Sequence, residues 1–414
     1  IISNENGEFE ASLPLGKHKI EISFLGYNTL KETIDFQKDT SIVFTLLDAS
    51  QLLEGVEITS ERFKQSEVLN TTRMSTVTLT SAEINSIPVL GGEADVIKVI
   101  QLLPGASKGV EGSTDLFIRG GAADQNLVLF DGATVYNTGH LFGFLSVFHP
   151  DVLESAEFMN GAFPTEYGGR LSAIIDIRSE ADIPDKTVVK GNVGLIASRL
   201  MIQQPIIENK LSIWLAGRRT YIDQVIQLTG ENLPYFFYDF NGKLIFKPTK
   251  SDKIELGFYT GDDKLDFSRD SDRNISNDFI IGNNTQTFKW LRLLSSDWES
   301  EFSLFRTQFR YDISSTFEDS ELFVGSQIED IGGKWAVRKS FSDVWSAKIG
   351  TELIQHKVSP NVINTAGEIS ALLESSATPN QQVFESGIFG QLNYESGKKW
   401  SWSAGLRISG AFVE

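Results

Sequence analysis

The stretch STDLFIRGGAADQNLVLFDGATVY, residues 113–136, decides how the rest of the chain is read. Two short strand-like runs, DLFIR and LVLF, flank a glycine pair and a polar turn. Arg119 sits inside the apolar part, built into a strand that otherwise reads as core. An unpaired charge in a core costs several kcal/mol, so this arginine must reach either water or an acidic partner.

Composition narrows the classes. The chain has 414 residues, a formal net charge of −18 and no cysteine. Such a length leaves room for two or three domains. The acidic balance argues against nucleic acid as a partner, since nucleic-acid binding needs a basic footprint. Lack of cysteine excludes disulfides, thiol catalysis and cysteine metal sites. No window approaches ~18 uninterrupted apolar residues, so no transmembrane helix is expected, which leaves strand-crossing membrane proteins open. The sequence opens at Ile1-Ile2-Ser3-Asn4 with no initiator Met or signal peptide and stops at Phe412-Val413-Glu414 just after a strand-like run. It reads as a fragment of a longer protein.

Three zones follow one another. In residues 1–50, GEFEASLP, GKHKIEISFLGY, KETIDF and TSIVFTLL read as short strands, with Ile20, Ile22 and Phe24 alternating against Lys19, Glu21 and Ser23. A small, incomplete β-sandwich is expected. Residues 51–70 form a polar linker containing one extended, β-branched segment, GVEITS. Residues 71–182 read as an α+β domain. Ser81 with Glu83 and Ile84 marks a short first helical turn. A second helix opens after Leu90-Gly91-Gly92-Glu93, carries Val96, Val99, Ile100 and Leu103 on one face, and stops at Pro104-Gly105.

Residues 183–414 change character. Leu211, Ile213 and Leu215 alternate with Ser212, Trp214 and Ala216; Trp402, Ala404, Leu406 and Ile408 alternate with Ser403, Gly405, Arg407 and Ser409. PTKSDK, LSSD, SFSD and ESGKK are tight connections. RRTYIDQVIQLTGENLPYF, DDKLDFSRDSDRNISNDFIIGN and SPNVINTAGEISALLESSATPNQQ are long and polar. Tall alternating strands with short turns at one end and long loops at the other are the pattern of a transmembrane β-barrel. About eleven strands fit, roughly half of the ~22 that enclose a plugged lumen. The expected fold is therefore mainly β: a partial barrel, an α+β domain and a small β-sandwich.

The residues carry a resemblance. VIQLLPGASKGVEGSTDLFIRGGAADQNLVLFDGATVY, followed by VLESAEFMNGAFPTEYGGRLSAIIDIRS, resembles the plug domain of TonB-dependent outer-membrane receptors. The landmarks are Pro104-Gly105, the strand end at Arg119-Gly120, the hairpin at Asp131-Gly132, Glu157 with Gly161, and the closing strand after Tyr167-Gly168. The usual basic residue before Gly161 is replaced by Asn160. NENGEFEASLPLGKHKIEISFLGY is similar to the carboxypeptidase-regulatory-like domain, and that domain ahead of a plug resembles the arrangement of Bacteroidetes-type receptors. The long insertion and signature of the polysaccharide-importing type are missing, so a lipoprotein lid is not expected.

The resemblance implies an outer-membrane importer of a scarce solute, an iron-siderophore or other metal chelate first. Its N-terminal domain and plug would lie on the periplasmic side, and TonB with its inner-membrane energising complex would be a partner. It implies a latch at Arg119, Gly120, Asp131 and Gly132 between plug and barrel wall. Gly55, Val56, Glu57, Ile58 and Thr59 are the candidate TonB box, which would add a strand to the partner's sheet. Lys108, Glu111, Ser113, Tyr136, Asn137, His140 and Phe142 are the candidate substrate-facing residues of the plug loops. No enzyme is expected, and no cofactor or metal: His18, His140, His149 and His356 are scattered without ligand spacing, and the glycine-rich runs lack the phosphate-loop pattern. A TonB-linked signalling transducer and a soluble β-domain surface-binding protein are the competing readings.

Overall fold

The computed structural model describes residues 3–4, 9–22, 30–45, 75–87, 93–109, 114–143, 145–194, 196–228, 230, 234–266, 275–396 and 400–414. The chain divides into two compact units, 1–66 and 67–414.

In the first unit, β1 (Gly16–Ile22) and β2 (Leu30–Phe36) form an antiparallel pair with Ile20 opposite Glu32. Gly16, His18, Ile20 and Ile22 share the less exposed face, as the alternation predicts. The flanking segments 9–14 and 41–45, read from sequence as strands, carry no strand. A strand exists only as one side of a ladder, and among the described residues these segments have no partner.

The second unit begins with a middle domain. Its mixed sheet contains β3 (Thr76–Thr80), β6 (Asn126–Phe130), β7 (Ala133–Thr134), β8 (Leu153–Met159) and β9 (Ala173–Ser179), in the order β3-β8-β9-β6-β7, with β6 and β9 parallel. A separate hairpin pairs β4 (Ala106–Lys108) with β5 (Leu116–Ile118). Helix α1 (Ser81–Ser86) starts at Thr80, whose hydroxyl accepts from Glu83 N at 3.3 Å while Glu83 Oε2 accepts from Thr80 N at 2.8 Å. Helix α2 (Val96–Ile100) is capped by Asp95 Oδ1, which accepts from Lys98 N at 3.0 Å. Ile84, Val96, Ile97, Val99, Ile100, Ile118, Val128, Phe130, Phe158, Ile175 and Ile177 are buried together as its core.

The stretch that opened the sequence reading forms two left-handed turns. Arg119 and Gly120 have φ of 50° and 82°; Asp131 and Gly132 have 51° and 89°. Positive φ at both central residues defines a type I′ turn, whose twist matches that of the flanking strands. Arg119 is therefore a turn residue with an exposed side chain, outside the strand into which the sequence reading built it.

The third element is a twelve-stranded antiparallel sheet. It contains β10 (Val188–Val193), β11 (Ala197–Ile207), β12 (Leu211–Thr220), β13 (Tyr235–Thr249), β14 (Asp252–Asp266), β15 (Ile275–Leu293), β16 (Trp298–Phe317), β17 (Ser320–Ser340), β18 (Trp345–Ala366), β19 (Ser376–Ala377), β20 (Gln381–Glu395) and β21 (Ser401–Val413). Eleven strands follow one another in sequence order, with β19 beside β18 as a side branch, and the sheet is open between β10 and β21. Helix α3 (Ile222–Gln227) lies in the connection from β12 to β13.

Connections sort by end, with two exceptions to the expected lengths. Four of the five connections at one end are the tight ones read from sequence, and the link from β11 to β12 joins them. At the other end, β10–β11 and β16–β17 join in three and two residues instead of by long loops. Much of the polar sequence read as loop is also strand: β18 continues through Ser359, Pro360 and Asn361 to Ala366. A register shift between Gly325 and Gln327 lies opposite Pro360, which has no N–H to give the ladder. The strands lengthen across the sheet to 22 residues in β18, roughly 70 Å if fully extended.

The two faces differ as the alternation requires. Leu215, Leu256, Leu304, Ile349, Leu353, Ile388 and Leu406 point away from the middle domain and are exposed, Leu353 at 62%. Trp345, Tyr394 and Trp402 stack at 5.0–6.1 Å near the short-turn end. The other face buries Arg218, Asp239, Lys243, Asp263, Thr307 and Asp330. An apolar outward band with aromatics at its rim is the lipid face of a barrel. Leu353→Arg, in that band and farther from the short turns than the aromatic rim, is expected to cost about 2–4 kcal/mol in a bilayer. Unfolding titrations in liposomes check this; a change near zero would mean that the face is wet.

Candidate functional site

The middle domain meets the inner face of the sheet through a series of polar clusters. At the long-loop end, residues 140–143 and 145–146 run against β12–β14. Gly139 packs so closely on Thr114 that a Cβ there would overlap its side chain. His140 is 4% exposed and stacks on Phe237, ring centroids 3.5 Å apart. Its Nδ1 lies 3.0 Å from Asp263 Oδ2 and its Nε2 3.2 Å from Asp239 Oδ2. Asp263 Oδ1 accepts from Leu141 N at 3.0 Å and from Tyr235 Oη at 2.6 Å. Arg218 donates Nε to Asp239 at 2.6 Å and Nη2 to the Ser146 carbonyl at 2.6 Å. Tyr259 donates to the other Asp239 oxygen at 3.2 Å. Two carboxylate acceptors on one ring favour an imidazolium.

The next residue outward is Phe142, exposed and held at φ 67°, with its ring edge-on to Tyr235 at 5.0 Å. A bulky residue in the left-handed region is strained, and the bonds on both sides of it hold the strain in place. His140 anchors the loop and Phe142 is presented at its surface.

Further along the wall, Tyr136 donates to Asp330 Oδ2 at 2.6 Å, and His356 Nδ1 lies 2.8 Å from Asp330 Oδ1. Asn137 gives its carbonyl to Asn283 Nδ2 at 2.9 Å. On the opposite flank, Arg199 is bonded to Glu93 and, at 2.7 Å, to Asp151.

Towards the short-turn end, Asp131 is a hub. It accepts from Ser179 N at 2.9 Å and Ser179 Oγ at 2.6 Å, and lies 3.0 Å from Lys243 Nζ. Lys243 is buried on β13 and also approaches Glu255 at 3.5 Å. Glu166 stands between Lys334 at 3.0 Å and Lys348 at 2.7 Å. Burial would raise the Glu166 carboxyl, but the two lysines outweigh it and hold it well below the usual carboxylate range. Arg407 from β21 donates to the Glu166 carbonyl at 3.2 Å and lies flat on Gly168, where a Cβ would overlap its guanidinium.

Of the residues expected to form a latch, Asp131 reaches the wall, with Gly132 completing its turn. Arg119 bonds within the middle domain instead. Its Nη2 donates to Ser75 Oγ at 3.2 Å, and its side chain lies over Gly105 and Gly161. Two further sequence landmarks, Gly105 and Gly161, thus converge on this arginine, and the plug carboxylates that pair with the wall are Asp131, Glu93, Asp151 and Glu166. Of the candidate substrate-facing residues, Phe142 and Lys108 are exposed, Tyr136 and Asn137 are half-buried against the wall, and His140 is enclosed. Glu111, Ser113 and the segment Gly55–Thr59 lie outside the described residues. Sequence reasoning missed Arg199, Arg218, Asp239, Lys243, Asp263 and Asp330. Their signal was present as charges on the polar parity of otherwise alternating strands.

Two outcomes are expected. In a double-mutant cycle of Asp131→Asn and Lys243→Gln, a coupling of about 1–3 kcal/mol should appear, read from the force that releases the middle domain from the wall; additive effects would show that the pair does not fasten it. The second concerns pH. Burial works against a charge on His140, but Asp239 and Asp263 outweigh it and raise its pKa to about 8. Its contribution, on the order of 2 kcal/mol, is complete below the ordinary value near 6.5 and is lost as pH rises through 8. Hydrogen exchange of residues 137–146, corrected for intrinsic rates, should accelerate across that window and show no such step in His140→Gln.

Residues 68–173 match the family model of the TonB-dependent receptor plug domain. No curated protein matches by sequence. Solved structures match with low identity over most of the chain. The copper transporter OprC is 14% identical with a TM-score of 0.61, covering 83% of this chain and 56% of that one. The ferric citrate transporter FecA is 13% identical at 0.61, covering 84% and 57%. The siderophore receptor PirA from Acinetobacter baumannii is 15% identical at 0.58, covering 86% and 58%. At such identities the likeness is one of fold, and the chain spans a little over half the length of each. Over residues 68–173 the middle domain matches the TonB-dependent receptor plug domain, and it is seated against a partial β-barrel of the fold that those solved structures share.

Proposed function

We propose that this chain contributes the plug and part of the barrel of an outer-membrane importer, energised by TonB, that takes up a scarce solute. The observation that carries the reading is the seating of the plug. Its sheet lies against a wall whose outer face is apolar and whose inner face is charged, and paired charges fasten the two. A passive pore needs no such stopper. A stopper held by several ion pairs can be released by work and will reseat unaided.

In this reading Gly55–Thr59 is the TonB box, upstream of the plug, and offers backbone hydrogen bonds to the partner's sheet. The first unit is a carboxypeptidase-regulatory-like module in the periplasm, and the wall strands face outer-membrane lipid. Ser75, where the chain enters the plug, is bonded to Arg119, so Arg119 ties the entering segment to the landmarks at Gly105 and Gly161. Phe142 and Lys108 face the ligand. A metal chelate of the siderophore class is the proposed cargo: copper, ferric citrate and siderophores are named for the receptors of like fold.

Deleting Val56–Thr59 from the protein in its native cell should abolish uptake of a ferric chelate while leaving its binding to the cell surface intact. Uptake that survives the deletion would remove the TonB-box assignment. Loss of binding together with uptake would mean that the segment serves the fold.

A further inference from the structure

On the outward face, near the short-turn end, a cavity of about 380 Å³ opens between β15, β16 and β17, lined by Trp290, Arg292, Ser300, Phe302 and Trp335. The register orders these groups along the strand axis. Trp290, Phe302 and Trp335 stand opposite one another across the three strands; Arg292 and Ser300 stand opposite each other, two residues nearer the turns. The groove is therefore apolar towards mid-sheet and polar at its mouth. Trp335 Nε1 donates to Ser300 Oγ at 3.0 Å, and Trp290 Nε1 to Asp252 Oδ1 at 3.0 Å, which fixes both indoles as side walls.

The cation at the mouth has capacity to spare. Among the described residues Arg292 meets Asp252 only at 3.8 Å, beyond hydrogen-bond reach, and lies 5.7 Å from the centre of the Trp290 ring. Asp252 is already engaged: Trp290 donates to one oxygen and Thr249 to the other, at 2.7 Å. A second cation, Lys339 on β17, lies over Trp298 at 4.6 Å and stands two pairs nearer the turns than Ser300. Two cations at the rim above an aromatic slot match one kind of occupant on a lipid-facing surface.

We propose that this groove binds one anionic phospholipid of the short-turn leaflet, with its phosphate on Arg292 and an acyl chain along Phe302 between Trp290 and Trp335. Guanidinium supplies paired donors to phosphate oxygens, and the indoles occupy the depth at which aromatic rings line the membrane interface. The proposal rests on reading the sheet as a membrane barrel, and its test separates the two.

The full protein is reconstituted in phosphatidylcholine bilayers carrying a small fraction of phosphatidylglycerol, with bromine on the acyl chains of one lipid at a time. Tryptophan fluorescence reports contact with the brominated chains. Any inserted barrel is quenched by both. A site of this kind should draw the anionic lipid about fivefold over its bulk share, as excess quenching that Arg292→Gln abolishes and Lys210→Gln, at the β11–β12 turn away from the groove, leaves intact. Equal quenching by the two lipids in the unaltered protein, or an excess that persists in Arg292→Gln, would overturn the site while leaving the barrel standing. No quenching by either lipid would remove the barrel and the site together.

Discussion

The inner face of the sheet carries Arg199, Arg218, Asp239, Lys243, Asp263 and Asp330, and these groups are covered. A charged surface removed from water must be answered charge for charge, or folding fails by several kcal/mol per orphan. The plug does this: Glu93 and Asp151 meet Arg199, His140 meets Asp239 and Asp263, and Asp131 meets Lys243. The barrel alternation suits such an occupant. Once every second residue is given to lipid, the remaining set is polar, and only a polar partner fits it.

The seat is uneven around the wall. Against β11–β14 the plug core extends into the sheet, since Met201, Trp214, Ala216, Ile245 and Tyr259 belong to the same apolar cluster as Phe130 and Ile177. Against β16–β21 the plug contacts are polar: Thr307 to the Thr134 carbonyl, Tyr136 to Asp330, Glu166 between its lysines, Thr165 to Gln391. Apolar contacts lose their energy on any separation that admits water, whereas a polar contact regains hydrogen bonds from the water that enters. The plug thus has a firmly bonded side and a side that water can replace bond by bond.

Much of this was legible locally. Period-two alternation in Leu211–Ala216 and Trp402–Ser409 reports which face meets lipid, because the pleat leaves no freedom at that scale. Asp131-Gly132 announced its turn through residues that tolerate positive φ. Arg119-Gly120 adopts the same turn without the usual residue at its first position, so the sequence reading left Arg119 in a strand. Strand ends were obscured for a related reason. Neighbouring ladders carry β18 through Ser359, Pro360 and Asn361, residues that alone would signal a loop, and a bulge at Pro360 and Asn361, opposite Ser326, absorbs the conflict. Partner choice was not legible. Parity assigns Asp239 and Asp263 to the lumen, but that His140, about a hundred residues earlier in the chain, lies between them depends on the docking of two separately folded layers.

The position of β3 has a mechanical meaning. It is an edge strand of five residues, paired only with β8, and the chain enters it at Ser75 beside the Thr76–Met159 pair. A pull on Ser75 directed across the ladder loads that pair before any other and peels the strand rung by rung, whereas a pull along the strand axis loads all its bonds at once. The Arg119–Ser75 bond sits at the first rung and acts as a stitch at the start of a seam. A tether of this geometry opens progressively under a modest pull and closes again along the same track.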